Sequence, residues 1–261
     1  MKAAAVLATE FLKLRRSKIM WLTGLAIAFG PLVGGLFMWI IAEPERAAQL
    51  GLIGQKAQFL GATADWTGFF TMLMQTMGVV SVVLFSVVTA WVFGREYSDG
   101  TAKNMLALPI RRAWFPIAKM VVVLVWCGLL TAVLIAIGLG VGFAMGLPGF
   151  STALALASVR DIALTALLGV VLMPPVAWFA ILGKGYMAPL GFALLTLLLG
   201  NVVGATGWSK WFPWSIVPLY AGVAGPRAEL LAPASVVIVV ATGAAGLFAT
   251  IRHLTYADND Q

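Results

Sequence analysis

Charged side chains are scarce in this 261-residue sequence, where aspartate, glutamate, lysine and arginine together make up 10% of the residues. A soluble globular domain carries about 25% charged residues and about 45–50% apolar ones, whereas 61% of the residues here are hydrophobic. So few charges cannot cover a surface that faces water, and the high hydrophobicity excludes a disordered chain. The composition therefore indicates a membrane protein.

The sequence also lacks the residues of most catalytic and metal sites. It contains one cysteine, Cys127, and one histidine, His253, which excludes an intrachain disulfide and a cysteine-based metal site. A Walker motif needs a serine or threonine directly after its lysine, but Lys184 is followed by Gly185. We therefore expect a chain that is not an enzyme, with no catalytic, cofactor-binding or metal site and no nucleic-acid partner.

Long apolar runs dominate what is present. A bilayer core of about 30 Å needs roughly 20 apolar residues as a helix. Six runs meet this length, at about 19–41, 69–94, 117–147, 162–182, 187–206 and 233–251. We predict an all-α membrane protein with six transmembrane helices, in which residues 1–261 form a single transmembrane domain. Pro174 and Pro175 should kink the fourth helix.

The positions of the basic residues predict the orientation. With the N-terminus inside, 12 lysines and arginines fall on the inner side and 5 on the outer side, while the acidic residues divide evenly. The whole net charge of +7 then lies on one side. Because lysine and arginine accumulate on the cytoplasmic side, both termini are predicted to be cytoplasmic, in a multi-pass protein of the bacterial cytoplasmic membrane.

Residues 2–18 have the pattern of an amphipathic helix that precedes the first span. Leu7, Phe11 and Leu14 follow helical spacing, and Arg15 and Arg16 lie at its end with other polar residues. An apolar stripe with a basic polar face is typical of a helix on the inner membrane surface. The alternative is a basic flank that only fixes the topology.

Residues 93–119 form the longest loop on the predicted inner side and mix both signs of charge. Ser98, Asp99 and Thr101 are residue types that begin helices, and Pro109 would end one. The pattern predicts a short helix from 99 or 101 to 108. Such a helix between two spans could receive force from a soluble partner, and the alternative is a loop that merely connects them.

This loop resembles the ABC-2 type permease family, the six-span membrane subunits of ABC exporters. The matching residues are Arg95-Glu96-Tyr97-Ser98-Asp99-Gly100-Thr101, then Ala107-Leu108-Pro109 and an arginine at Arg111 or Arg112. The resemblance extends to the N-terminal helix and the six-span plan. A chain of this length is similar to the permeases of bacitracin and lantibiotic self-protection.

The resemblance implies a type V exporter fold, in which the loop is a coupling helix that contacts an ATP-binding subunit. Two such subunits, holding ATP and magnesium, would pair with two permease copies as a homodimer or heterodimer. The residues then expected at the ATPase interface are Arg95, Glu96, Tyr97, Asp99, Gly100, Thr101, Lys103, Asn104, Leu106, Leu108, Pro109, Arg111 and Arg112.

The outer loop at 207–232 is rich in aromatic residues, with Trp208, Trp211, Trp214 and Tyr220. Amphipathic rings favour the level of the lipid headgroups, so one interpretation is an aromatic belt. The stretch from 212 to 225 is also apolar but too short to cross twice as a helix, so the other interpretation is a segment that enters the membrane and returns. Such backbone needs protein or a cavity to satisfy its polar groups.

Ionisable residues all fall in loops or near the ends of spans, which argues against an ion-coupled carrier. The sequence therefore predicts an exporter permease, powered by a separate ATPase, that moves an amphipathic or hydrophobic substrate such as a peptide antibiotic, drug or lipid. The alternative is a membrane scaffold without transport activity or an intramembrane enzyme.

Overall fold

The computed structural model describes residues 2–43, 63–101, 111–204, 206–223 and 233–256, and these residues are almost entirely helical. Six helical segments among them are long and apolar enough to cross a membrane, which confirms the predicted fold class. The α-helices are α1 (Lys2–Arg15), α2 (Lys18–Ala42), α3 (Trp66–Ser98), α4 (Trp114–Ala144), α5 (Thr152–Val171), α6 (Met173–Leu182), α7 (Met187–Gly204), α8 (Pro213–Tyr220) and α9 (Pro233–Tyr256).

The helix α3 is the centre of the bundle and contacts α2, α4, α5, α6, α7 and α8. Large side chains along it, such as Phe69 and Phe85, are completely buried. Glycines of its neighbours allow close approach: a Cβ added to Gly142 of α4 would lie 2.4 Å from the ring of Trp66. Several elements therefore pack together at each end of α3.

The helices alternate in direction, so the bundle has two ends. We call them the α1 end, where α1 and the last turns of α3 lie, and the α8 end, where α3 begins and α8 lies. At the α1 end, a Cβ added to Gly94 would lie 2.8 Å from the carbonyl oxygen of Gly185. At the α8 end, the Trp66 N–H donates to the Pro148 carbonyl at 3.1 Å.

The fourth span differs from the sequence expectation in its start and in its shape. It begins at Thr152 instead of 162, because the Ser151 hydroxyl caps the helix by accepting from the Leu154 N–H at 3.2 Å. Arg160 and Asp161, expected in a loop, lie inside α5 and pair with each other at 3.1 Å. Together α5 and α6 span 31 residues, or about 46 Å. This length exceeds the bilayer core, so the pair can stay at its edge.

The expected kink of this span takes the form of a break between α5 and α6 at Leu172. Proline at the first positions of a helix is tolerated there because its missing N–H would be unpaired anyway. The last span packs closely on this break: a Cβ on Gly246 of α9 would lie 2.4 Å from the Pro175 nitrogen, and one on Gly243 would lie 2.2 Å from the Val171 carbonyl oxygen.

The N-terminal helix is present, as predicted, but its apolar side faces protein. It packs on α4, with Leu14 buried and Leu7 and Phe11 half-buried against the core. Glu10 is charged, yet it is only 6% exposed in this helix. Residues 6, 10 and 14 share one face because they are four positions apart. Arg15 and Arg16 are exposed.

Candidate functional site

The Asp-Gly-Thr sequence forms the end of α3. Gly100 has φ +68°, its N–H donates to the Tyr97 carbonyl at 3.2 Å, and the Thr101 N–H donates to the Glu96 carbonyl at 2.8 Å. This pair of bonds, with a residue of positive φ directly after the cap, is a Schellman motif. Asp99 therefore caps the C-terminus of α3, whereas the sequence analysis took it as a helix start.

Several residues expected to contact an ATPase surround this turn. The Arg95 Nε donates to the Asp99 carboxylate at 3.0 Å, and its guanidinium lies 5.2 Å from the ring centre of Trp91. Tyr97 is half-buried, while Arg111 and Arg112 are exposed just before α4. The remaining predicted contacts lie outside the described residues, as does the short helix expected there; they are Lys103, Asn104, Leu106, Leu108 and Pro109.

Beside this turn, four charged side chains form a closed network that we call the ion ring. Lys119 of α4 contacts both carboxylate oxygens of Glu96 at 2.7 Å and Glu10 at 3.1 Å. Lys13 contacts Glu10 at 2.6 Å and Glu96 at 2.9 Å. The two ammonium groups and two carboxylates alternate, so the ring is neutral and joins α1, α3 and α4.

Most of the ion ring is shielded from water, so its charges must be neutralised by one another. Lys119, Glu10 and Glu96 are each at most 6% exposed, and Lys119 also donates to the Val92 carbonyl at 2.6 Å. Burial acts to lower the pKa of Lys13, but the hydrogen bond to Glu10 and the charge of Glu96 together raise it above its ordinary value. Lys13 therefore remains an ammonium ion at physiological pH.

A second feature lies beside the middle of α3, which together with α7 and α8 encloses a cleft of about 430 Å³. Its wall includes small residues that leave room near the backbone, such as Gly78 and Gly200, and apolar residues such as Val82 and Leu197. Asn201, Ser209 and Ser215 add polar atoms. A concave, mostly apolar site with a few polar groups is the usual form of a small-molecule site.

The aromatic segment after α7 has features of both interpretations that the sequence left open. Trp208 and Trp211 are exposed, as in an aromatic belt, while Trp214 and Tyr220 are half-buried. The helix α8 packs into the bundle, where a Cβ added to Gly78 of α3 would lie 2.4 Å from the Ala221 Cβ. Gly78 lies about 18 Å along α3 from Trp66, where that helix begins, so α8 packs inside the bundle.

Comparison with known proteins identifies the family. The sequence profile described as ABC-2 family transporter protein matches residues 6–200, which includes α1 and the first four spans. The chain belongs to the ABC-2 transporter family. A curated relative, the bacitracin transport permease protein BCRB of Bacillus licheniformis, is 30% identical over 181 residues, which cover 69% of this chain and 86% of that protein.

The chain is therefore a membrane subunit of a transporter, that is, a permease, and the resemblance seen in the sequence is confirmed. As a permease it is a multi-pass membrane protein with six candidate spans. No cluster of three or more potential metal ligands occurs among the described residues. The turn with the ion ring lies at the end of α3, whereas the cleft opens on the middle of the same helix, at Gly78, Val79 and Val82.

The sequence analysis missed the ion ring of the permease because it did not single out Glu10 or Lys119. Two signals were available. Glu10 lies four residues from both Val6 and Leu14, so it shares their face. Lys119 lies inside the apolar run of the third span, where an ionisable group requires a partner. The identity of that partner required the tertiary structure, since Glu96 is 23 residues away.

Proposed function

We propose that this permease is the membrane subunit of an ATP-driven exporter in a bacterial cytoplasmic membrane. The main observation in favour is that one uninterrupted helix, α3, joins the turn at Gly100 to the cleft beside Gly78. A stiff helix of 33 residues, about 50 Å long, can transmit a displacement from one end to the other. The positions of the basic residues support a cytoplasmic location for the α1 end.

An ATP-binding partner would supply the energy. In this proposal two ATPase subunits, with ATP and magnesium bound in them, contact the turn at 99–101 and the exposed arginines before α4. The ion ring then makes α1, α3 and α4 move together. Two copies of the permease, or one copy with a similar chain, complete the exporter. In the described part of the spans, acidic and basic side chains lie near the helix ends, with two exceptions. These are Lys119 at the start of α4 and the Arg160–Asp161 pair. The scarcity of such side chains within the spans agrees with an external energy source.

The substrate that we propose is an amphipathic or hydrophobic compound that binds in the cleft beside the middle of α3. The cleft is lined mainly by apolar groups, with polar atoms from Asn201 and Ser209. The relative from Bacillus licheniformis is named for bacitracin transport, so a peptide antibiotic is the first substrate class to test. Drugs and lipids of similar amphipathic character are the other members of this class.

Reversal of charge at Asp99 should weaken contact with the ATPase. Asp99→Arg would place a second guanidinium beside Arg95, where the paired carboxylate now lies at 3.0 Å. We expect substrate-stimulated ATP hydrolysis to fall at least tenfold when the permease is co-purified with an ABC ATPase that associates with it. Asp161→Arg is the matched control, because it breaks an equivalent pair with Arg160 at the opposite end. Equal activity of the two variants would contradict the assignment of the α1 end.

Filling the cleft should reduce substrate handling without preventing assembly. Gly200→Leu would place a branched side chain in the cleft, where even a Cβ lies 3.4 Å from the Trp214 carbonyl oxygen. We expect at least a fivefold loss of bacitracin resistance in cells that express the transporter, with ATPase association unchanged. Gly191→Leu on the same helix is the control, since a Cβ there meets nothing within 4 Å. If both variants keep full resistance, bacitracin is not recognised in the cleft.

A further inference from the structure

A cavity of about 460 Å³ lies at the α1 end, between α1, the last turns of α3 and Tyr186. We call it the headgroup pocket. Lys13, Arg16 and Arg95 contribute cations to its wall, and Asp99 contributes the carboxylate. Neither the ion ring nor the proposed contact with an ATPase requires this cavity.

The charges around the headgroup pocket leave one cation in excess. Lys13 belongs to the neutral ion ring, and Arg95 is paired with Asp99. Arg16 is exposed, and within the described ranges it has no ion pair and no side-chain hydrogen bond. The cavity can therefore accept one negative charge without breaking a pair that already exists.

The other walls of the headgroup pocket have the character of a membrane interface. Trp91 is half-buried beneath Arg95, and Leu12 of α1 is 46% exposed. Burial, with a smaller effect from the charge of Asp99, raises the pKa of Tyr186. Its hydroxyl therefore stays neutral and able to donate. Tryptophan, tyrosine and arginine together favour the boundary between acyl chains and headgroups.

We propose that the headgroup pocket binds the phosphodiester group of an anionic phospholipid from the leaflet at the α1 end. A phosphodiester carries a single negative charge, which matches the unpaired Arg16. The guanidinium can hold two of its oxygens at once. The acyl chains would pass Leu12 and continue along the exposed apolar side of α2, where Trp21 is 73% exposed. Basic pockets between membrane helices are known to select anionic lipids in this way.

The test uses the purified full-length permease without an ATPase, so its result is independent of the proposed transport function. The protein is reconstituted in lipid discs of phosphatidylcholine with increasing phosphatidylglycerol, and retained phosphatidylglycerol is counted by native mass spectrometry. We expect Arg16→Gln to lower the affinity for phosphatidylglycerol at least tenfold, the scale of a lost bidentate charged contact. Arg15→Gln is the matched control, since Arg15 is also exposed but does not line the pocket. It should change the affinity at most threefold.

Three other results would overturn the proposal. If both arginine variants lose the same affinity, the lipid is attracted only by the general positive charge of the surface. If millimolar inorganic phosphate displaces phosphatidylglycerol from the wild-type permease, the pocket recognises a free phosphate rather than a lipid. Full retention of phosphatidylglycerol by Arg16→Gln would also exclude the site.

Discussion

Replacement of Lys119 by methionine is expected to destabilise the folded permease by about 3–5 kcal/mol, the usual cost of removing one partner from a buried ion pair. The loss is large because Glu96 and Glu10 would both remain buried while only Lys13 is left to neutralise them. Methionine preserves the apolar stem of lysine, so packing changes little. The melting temperature in detergent, followed as the fraction of monodisperse protein, should fall by about 10 °C.

Lys13→Met also removes one positive charge from the ring, so comparing it with Lys119→Met shows how much of the loss of stability depends on burial. Lys13 contacts the same two carboxylates, but its side chain is 31% exposed whereas that of Lys119 is 3% exposed. Water can therefore partly replace the Lys13 ammonium, and we expect a loss of about 1 kcal/mol. Addition of Glu96→Gln to Lys119→Met should recover part of the stability, because Glu10 and Lys13 then form a neutral pair. Equal losses for the two single variants would contradict the ring as described.

The ring has a mechanical consequence beyond its stability. It joins α1 to the end of α3 and the start of α4, the two helices that flank residues 99–113. A force on the end of α3 cannot move this helix alone without separating buried charges. The neutral ring therefore favours joint movement of α1, α3 and α4, which is why we include α1 in the coupling unit of the proposed exporter.

The spans were predictable from the sequence because burial in lipid requires continuous apolar runs, and such runs are visible without a structure. The limits of the fourth span were not predictable, since residues 152–161 extend the helix beyond the apolar run, from the Ser151 cap to the paired Arg160 and Asp161. A charge count treats these two residues as a loop, whereas a long helix can hold them at the edge of the membrane.

Contacts between distant parts of the chain account for the remaining differences between the sequence-based predictions and the structure. Two glycines of neighbouring spans pack against α3, where Gly30 faces Thr76 and Gly138 faces Leu73. The sequence did not show that α8 would pack beside Gly78, because a short apolar helix with two prolines has no distinctive period. The amide of Gln75, which donates to the Gly222 carbonyl at 3.1 Å, helps to hold that segment.

Substitution of Gly100 tests whether the proposed coupling role of the turn depends on its backbone conformation rather than on its charge. Gly100 has φ +68°, and a Cβ there meets nothing within 4 Å, so the only cost of a side chain is conformational. A β-branched residue strongly disfavours positive φ. Gly100→Val is therefore expected to abolish the Schellman turn and redirect the chain that leaves α3. We expect at least a tenfold loss of substrate-stimulated ATP hydrolysis, with the melting temperature lowered by only a few degrees.

Gly100→Asn is the matched control, because asparagine adopts positive φ more readily than other residues with a side chain. It adds a polar side chain to the same exposed position but preserves the bonds from residues 100 and 101 to Tyr97 and Glu96. The asparagine variant should retain most of the stimulated ATPase activity. If both variants lose it equally, the ATPase contacts Gly100 itself and excludes any side chain there. If valine is tolerated, the direction in which the chain leaves α3 does not control coupling.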